Sequence, residues 1–595
     1  MHEHICGRCR DYMTMNFRGT LSLGAALCAF AAVNTASAAF TVEPIAGLPG
    51  MDSSAVAWGD FDNDGLLDFL LTGTTNNSGS GATTRLWRNT GAGFVQVPMA
   101  AVPGVVFGST CWNDFDNDGR LDFLLTGTTN GILTGNVSQL WRNTGSGFEN
   151  VTATSVPGLP RLNQTAASWA DMDNNGTADL FISGLSSTGR VAQIWRNTGG
   201  VLTNATSALA PGLPGFDIGT AAWGDFDNDG RMDLIIAGDT GSGRIAQVWR
   251  NTGSTLTNAT AGIAAGLPPV SFASSAWGDY DNDGLLDFVI TGESSTGRVT
   301  QIWRNAGSTF TNATTSLVEG IAALRYGTSA WADFDNDGRL DLLLTGNPAG
   351  GTFFARILRN TGSGFADAEE LLPAAYSTSG PSAAWGDFNN DGKLDVLITG
   401  TSAEGGMAQL LRNTGELANT PPPAPAQLLA VGTNGTVHLQ WGSVMDAESG
   451  SNVTYNVRVG TTAGGSEIMA SIADLESGFR RLPQFGNVQL GTNTQLTLPP
   501  GTYFWSVQAV DGALAGGGYA EELPLVIPTE TAPRLTIVRA GTNATISWTP
   551  STIGWTLQET SSLSVPAWTN SPSGTLNPVS VSADQLQRFY RLRQQ

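Results

Sequence analysis

The sequence predicts an all-β chain: a seven-bladed β-propeller with calcium loops, followed by two small β-sandwich domains. Three observations carry this expectation. A nine-residue acidic run, first met as Asp60-Phe-Asp-Asn-Asp-Gly-Leu-Leu-Asp68, returns at Asp114, Asp171, Asp225, Asp279, Asp333 and Asp387, at spacings of 54, 57, 54, 54, 54 and 54 residues. A fixed period of this size marks a repeat architecture. Each run sits among four short β-like pieces, and beyond residue 415 the period stops while strand-like alternation continues.

In the first repeat, Ala55–Gly59 leads into the acidic run and Leu67–Gly73 leaves it. Arg85–Thr90 follows a polar linker, and Phe94–Val97 closes the unit. Apolar and β-branched content with Gly, Asn and Thr punctuation predicts strands, and four short strands per repeat predict propeller blades. The seventh repeat stops after Leu410–Thr414 without a fourth strand. Residues 40–44 (FTVEP), ahead of the first repeat, resemble the fourth-strand pieces Phe94–Val97 and Phe148–Val151. This strand is expected to complete the last blade and so remove the exposed edges. Trp58, Trp112, Trp169, Trp223, Trp277, Trp331 and Trp385 stand two residues before each acidic run. A residue present once per blade reads as blade-to-blade packing, as do the recurring Arg-Asn pairs from Arg88 to Arg412.

The acidic positions explain the composition. Positions 1, 3, 5 and 9 are Asp60, Asp62, Asp64 and Asp68; Asp114, Asp116, Asp118 and Asp122; Asp171, Asp173, Asn175 and Asp179; Asp225, Asp227, Asp229 and Asp233; Asp279, Asp281, Asp283 and Asp287; Asp333, Asp335, Asp337 and Asp341; Asp387, Asn389, Asp391 and Asp395. These hold 26 of the 51 acids, so the net charge of -22 is mostly local. Position 6 is glycine, which allows the tight turn. Position 7 is Leu66, Arg120, Thr177, Arg231, Leu285, Arg339 or Lys393, an indifference to side chain that suits main-chain ligation. Carboxylates at these spacings with one carbonyl are hard-oxygen ligands for Ca²⁺. Seven such ions would leave a net charge of about -8, an ordinary solvated surface. Asn175 and Asn389 each remove one charge and predict two weaker sites. EF-hand and dockerin loops share the opening pattern but need a helix and an acid at position 12. Here that position is Leu71, Leu125, Ile182, Ile236, Ile290, Leu344 or Ile398.

Loop, period and copy number over about residues 40–415 resemble the FG-GAP/VCBS-type repeats of integrin α-chain propellers and bacterial secreted proteins. The resemblance implies Ca²⁺ held between two strands of each blade by the positions above, for up to seven ions. No inserted nucleotide-fold domain or membrane helix is evident, so the receptor function is not implied.

The flanks read differently. Residues 1–38 read as a leader, starting at Met1, Met13 or Met15, with the apolar run Leu21–Val33 and a small-residue cleavage site at 36–38. His2, His4, Cys6 and Cys9 would be removed with it, and Cys111 then remains as a small core residue. Residues 416–426 (ELANTPPPAPA) are a linker. Residues 427–528 resemble a fibronectin type III domain through the leading prolines, Trp441 and residues 498–503 (LPPGTY) placed like a tyrosine corner. The insert 460–485 departs from that pattern, and residues 533–595 read as a further small β-sandwich.

For function, the sequence excludes more than it assigns. After the leader His438 is the sole histidine and Lys393 the sole lysine, which excludes a Ser-His triad in the repeats. Nothing basic is clustered for nucleic acid, and no stretch is long and apolar enough to span a bilayer. The favoured expectation is a secreted or surface-exposed, non-enzymatic calcium protein that binds an extracellular protein or glycan. The inter-strand loops 74–84, 128–138, 185–190, 239–244, 293–298 and 347–354 would make the contacts, with Arg190, Arg244 and Arg298 favouring an anion. Alternatives are a secreted carbohydrate-active or other enzyme on a propeller scaffold, with Asp217, Asp239, Glu293, Glu319 or Asp367 as its carboxylates, and a purely structural cell-surface protein.

Overall fold

The computed structural model describes residues 40–595 apart from 77–80, 132, 350–353, 369–371, 373–381, 403–404, 434–435, 528–532, 550–554, 564–566, 584–586 and 595. The expected leader (1–38) and parts of the loops 74–84, 128–138 and 347–354 lie outside the described residues.

The chain is all-β in its sheets and is built from small four-stranded antiparallel meanders. The first repeat runs Asp52–Gly59, Asp68–Thr74, Ala82–Asn89 and Phe94–Val97, hydrogen-bonded in that order. The expected pieces thus fall on strands with shifts of one to three residues at their ends. Every residue of Asp68–Thr74 is buried. A strand covered on both faces needs a continuous apolar run, which is why Phe69-Leu-Leu71 shows no alternation. Apolar clusters lie between neighbouring repeats: Phe226 of one repeat packs with Trp277, Phe288 and Phe310 of the next. The fifth and sixth repeats are also linked through the short strand Leu324–Arg325.

The two ends of the array meet. Phe40–Glu43 pairs antiparallel with Gly405–Asn413 of the seventh repeat, in the register Phe40 to Asn413 through Glu43 to Leu410. The N-terminal strand therefore stands as the fourth strand of the last meander. Belts of hydrogen bonds also run from repeat to repeat. The tryptophan indoles form a broken one: Trp112 Nε1 donates to Ala57 O at 3.1 Å, Trp277 to Ala222 O at 3.0 Å, and Trp58 to Ala384 O at 3.3 Å, while the indole nitrogens of Trp169 and Trp223 find no partner among the described residues. The third-strand asparagines form another, with Asn143 Nδ2 on Phe61 O at 2.7 Å, Asn305 on Phe226 O at 2.8 Å and Asn89 on Phe388 O at 2.7 Å. Five of the seven tryptophans and all seven third-strand asparagines are thus inter-repeat fasteners, whereas the arginines beside those asparagines pair with the acidic loop of their own repeat. Asn305 also donates to Leu286 O and accepts from Gly307 N, and it is buried. Asn305→Ala strands these partners without water, so a loss of about 2–4 kcal/mol is expected. A lowered urea midpoint with unchanged slope would register it, and an unchanged midpoint would contradict it.

Glycine ahead of four of the loops leaves room for the next repeat, while Asn113, Ala170 and Ala332 stand there in the other three. A Cβ on Gly278 would lie 2.8 Å from the Trp331 ring of the next repeat, and one on Gly224 equally close to Trp277. Four helical turns depart from the all-strand expectation: Thr152–Ser155, Thr206–Leu209, Thr260–Ile263 and Thr314–Leu317. Each follows an Asn-x-Thr step in which the Asn Oδ1 accepts from the Thr backbone N, as in Asn150 to Thr152 at 3.1 Å. Side-chain capping of this kind starts a turn that apolar periodicity does not announce.

Between residues 429 and 527 two three-stranded sheets enclose one core containing Leu439, Tyr455, Val457, Leu496, Trp505 and Val507. Tyr503 Oη donates to Pro499 O at 2.9 Å, the hydrogen bond expected of the corner. Two further three-stranded sheets lie between 534 and 594 with a much smaller core of Ile546, Trp548 and Leu557. The 427–528 segment packs on the repeats. Its insert lies against the acidic loops: Asn117 Nδ2 donates to Ile468 O at 2.8 Å, Asp60 N to Arg481 O at 2.9 Å, and Arg481 Nη1 to Gly119 O at 2.7 Å. Met469, Leu482 and Phe485 cover a cavity of about 580 Å³ lined by all seven loop-preceding tryptophans. The apolar residues of the insert serve this contact, which a strand-by-strand reading could not detect. Among the described residues no helix is long and apolar enough to cross a membrane.

Candidate metal centres

Each acidic loop is a turn that its own carboxylates organise. In the first, Asp60 Oδ1 accepts from Asp64 N at 3.1 Å and Oδ2 from Gly65 N at 3.0 Å. Asp64 Oδ1 accepts from Leu66 N at 3.1 Å. Asp68 ties the loop to two strands, taking Phe61 N at 3.2 Å on Oδ2 and Asn89 N at 2.7 Å on Oδ1. Asn63 has φ 60° and Gly65 φ 83°, left-handed conformations that asparagine and glycine adopt at least cost. The same pattern recurs in the other six loops; Asp179 takes Met172 N and Asn197 N, and Asp341 takes Phe334 N and Asn360 N.

These turns gather carboxylates tightly. Ligand oxygens of Asp60, Asp62 and Asp68 lie within 4.8 Å of one another, as do those of Asp114, Asp116 and Asp122, of Asp171, Asp173 and Asp179, of Asp225, Asp227 and Asp229, and of Asp279, Asp281 and Asp287. One further cluster of this kind is present. Positions 1, 3 and 9 meet in four of these groups as the spacing implied, whereas in the fourth loop positions 1, 3 and 5 meet.

The electrostatics of these clusters call for a cation. Burial, together with neighbouring carboxylates, raises the position-9 acids against their backbone hydrogen bonds: Asp68 and Asp395 to about 8, and Asp122, Asp233 and Asp287 to about 9. Burial likewise raises the position-1 acids, Asp60 to about 6 and Asp114, Asp171, Asp225 and Asp279 to about 7. Without a metal, burial thus favours the protonated form of these groups, most strongly at position 9. The Oδ1 atoms of Asp116, Asp173, Asp227 and Asp335 are buried and accept no hydrogen bond. A desolvated carboxylate oxygen without a donor is costly, and a hard cation among such oxygens offsets that cost. The donor set therefore fits a metal ion.

Arginines neutralise part of each cluster from outside. Arg88 Nε lies 2.5 Å from Asp62 Oδ2 and its Nη2 3.0 Å from Asp64 Oδ2, and Arg142, Arg250, Arg304 and Arg359 repeat the arrangement. In the first and fifth loops four carboxylates less one guanidinium leave about three negative charges, and in the others about two, suited to a divalent ion. The side chain at position 7, read from sequence as indifferent, is not idle. Arg120, Arg231 and Arg339 pair with the position-5 acid of their own loop and donate through Nε to the third-strand carbonyls of Asn143, Asn251 and Asn360. Thr177 Oγ1 donates to Asn197 O at 3.1 Å in the loop where Asn175 replaces an acid.

Sequence reasoning missed the asparagine at position 4. Asn63 Nδ2 donates to Gly119 O of the next loop at 2.9 Å, and Asn117, Asn174, Asn228, Asn282 and Asn336 do the same in turn. Asn390 Nδ2 on Gly65 O at 2.8 Å brings this third belt back to the first repeat. The signal was in the sequence, since this position is Asn in all seven copies.

One surface expectation needs correction. Arg190 and Arg244 are not free for an anion: Arg190 Nε lies 2.9 Å from Asp217 Oδ1, and Arg244 Nε donates to Ser271 Oγ at 3.0 Å. Both reach into the following repeat. Four of the five acids considered for paired-carboxylate chemistry lie beside arginines: Asp217 and Asp239 flank Arg190, Glu293 meets Arg325, and Asp367 lies 3.3 Å from Arg356.

Five stretches, 60–125, 114–182, 225–290, 279–344 and 333–398, match the FG-GAP-like repeat family, each running from one acidic loop to the second strand of the next repeat. The chain is thus a propeller-like repeat protein. No curated protein matches it. Among solved structures, the extracellular domain of a hybrid two-component system from B. thetaiotaomicron is 12% identical with a TM-score of 0.34, the match covering 83% of this chain and 58% of that one. The chain thus spans little over half that neighbour's length. Aleuria aurantia lectin in complex with α-methyl-L-fucoside is 11% identical with a TM-score of 0.32, over 54% of this chain and 96% of the lectin. The same lectin with Fucα1-6GlcNAc gives 10%, 0.32, 54% and 96%. Likeness at this level assigns no ligand here.

Proposed function

We propose that residues 40–415 close into a seven-bladed β-propeller whose acidic loops hold Ca²⁺, and that the exported chain is a non-enzymatic extracellular binding protein. The observation that carries the metal reading is the set of buried, converging carboxylates with unpartnered oxygens. Positions 1, 3, 5 and 9 of each loop, with the position-7 carbonyl, would hold the ion. Oxygen-only donors, weak geometric demands and extracellular Ca²⁺ levels favour calcium over a transition metal, because no cysteine or histidine is in these loops. The ion would neutralise the loop and fix the turn between first and second strands. Closure is supported by Phe40–Glu43 on the last meander and by the hydrogen bonds that join the seventh repeat to the first. The Tyr503 corner and paired three-stranded sheets favour a fibronectin type III-like domain at 427–528, with a further small sandwich at 533–595. That domain acts as a cap, holding the acidic-loop end and leaving the opposite end open.

A binding role follows from a rigid scaffold with an open concave end and with its surface acids paired to arginine. Full-length chain in millimolar Ca²⁺, presented to glycan and extracellular-matrix protein arrays, is expected to retain a ligand and to lose it in EDTA. Absence of any retained ligand in saturating Ca²⁺ would count against the reading.

A further inference from the structure

At the end of the first strands away from the acidic loops, a cavity of about 510 Å³ opens among residues from all seven repeats. Six lining positions are equivalent: Ser53, Phe107, Gln164, Ile218, Phe272 and Tyr326. Each has a left-handed backbone, with φ between 47° and 54°. Where register is given through this point, as between Asp217 and Thr220 or Ser271 and Ser274, it shifts by a β-bulge. A bulge re-aims side chains, and strained backbone gathers at functional sites.

A structural explanation exists for the bend. The ring of backbones is joined: Gln164 N donates to Phe107 O at 2.6 Å and Tyr326 N to Phe272 O at 3.0 Å. It does not explain the residue types. In the acidic loops the left-handed positions are asparagine at position 4 and glycine at position 6, while Gln427, Ile472, Gln489 and Leu514 take the same conformation in the 427–528 segment. At the cavity neither residue occurs among the six, and a β-branched isoleucine accepts one of the costliest placements. The side chains are therefore what the bend presents.

Their chemistry is neutral and two-faced. Phe107, Phe272 and Tyr326 supply aromatic surface, with the last two rings 4.1 Å apart at their centroids and Arg325 over both. That guanidinium is spent on Glu293. Ser109 supplies a hydroxyl beside them, those of Thr165 and Thr220 are shared with Thr126 and Ser275, and among the described residues no lining side chain is charged. The Gln164 amide and the Tyr326 hydroxyl make no hydrogen bond to the described residues. An anionic or cationic ligand would find no counter-charge here, and a wholly apolar one would leave these donors and acceptors dry. A pyranose has the complementary surface: an apolar C–H face for an aromatic ring and an edge of neutral hydroxyls.

We propose that this cavity binds a neutral saccharide, one or two sugar rings at the end of a glycan. The proposal rests on the binding role above and assigns it a site and a ligand class. The test uses the full-length chain in Ca²⁺ on an array of neutral, sialylated and sulfated oligosaccharides and of unfolded peptides, followed by calorimetry on the best neutral oligosaccharide. Gln164→Ala and Tyr326→Ala are expected to weaken binding at least tenfold, and Tyr326→Phe to fall between them and wild type, with melting temperatures unchanged. Selective binding of anionic glycans or peptides would overturn the ligand class. A neutral glycan whose affinity survives all three substitutions would overturn the site while leaving the binding role standing. No ligand on this array would overturn the saccharide, and only the further failure of the protein arrays would remove the binding role.

Discussion

Moving the mature chain from millimolar Ca²⁺ into EDTA is expected to lower its melting temperature by roughly 10–20 °C. A site held at a hundred times its dissociation constant adds about 2.7 kcal/mol to stability, so three such sites add about 8 kcal/mol and seven about 19 kcal/mol. Either sum rivals the whole stability of an ordinary domain, about 5–15 kcal/mol. No disulfide is available to take over, because Cys111 is the one cysteine among the described residues and it is free. The loops with Asn175 and Asn389 should empty first in a chelator titration followed by calorimetry. A melt that ignores EDTA would sink the metal reading. The metal-free chain should also respond to pH in a particular sense. Burial raises its position-1 and position-9 carboxyls above the ordinary value of 3.8, Asp60 to about 6 and Asp122 and Asp233 to about 9. The folded state then binds more protons than the unfolded state between roughly pH 4 and 9, so stability in EDTA falls as pH rises through that window. With Ca²⁺ present the ion takes the place of those protons, and acidification should instead weaken binding. Melting curves in both conditions from pH 5 to pH 9 would separate the two slopes.

Deleting residues 40–46 is the second large effect expected. It removes four strand pairings with Gly405–Asn413 and the Phe40 ring that stacks on Phe334 at 6.2 Å. At about 1 kcal/mol for each net hydrogen bond, plus partial burial of Phe40 and Ile45, the loss is about 5 kcal/mol. The last meander would be left with three strands and an open edge, so the melt should drop by roughly 5–10 °C and the chain should become prone to self-association. Light scattering and calorimetry check both. An unchanged melt would show that the asparagine and tryptophan belts hold the ends together without the strand.

Much of this was legible in the residues. Loop, glycine and period fixed the turn chemistry locally, since Asp60, Gly65 and Asp68 make their bonds within a few residues or to the adjacent strand. The N-terminal strand was legible because a missing fourth piece at Leu410–Thr414 had one matching piece elsewhere. The position-4 asparagine was in plain view yet unread, because its partner carbonyl lies 56 residues away and belongs to a glycine that any sequence would offer. The roles of Arg190 and Arg244 failed for the same reason: equivalent spacing shows that residues are alike, not that their next-repeat neighbours are acids or hydroxyls.

The sequence alone thus determined the repeat, the strand order and the carboxylate clusters, because these depend on period and on contacts within one unit. Only the tertiary structure decided which end of the array is covered and which is open. The insert 460–485 is too irregular to place by pattern, and its position rests on backbone groups such as Ile468 O and Arg481 O meeting the loops. The open cavity exists only when one residue from each of six repeats is brought to a common mouth. Spacings of 54 and 57 residues along the chain become neighbours in space through long-range packing, which no local pattern can encode.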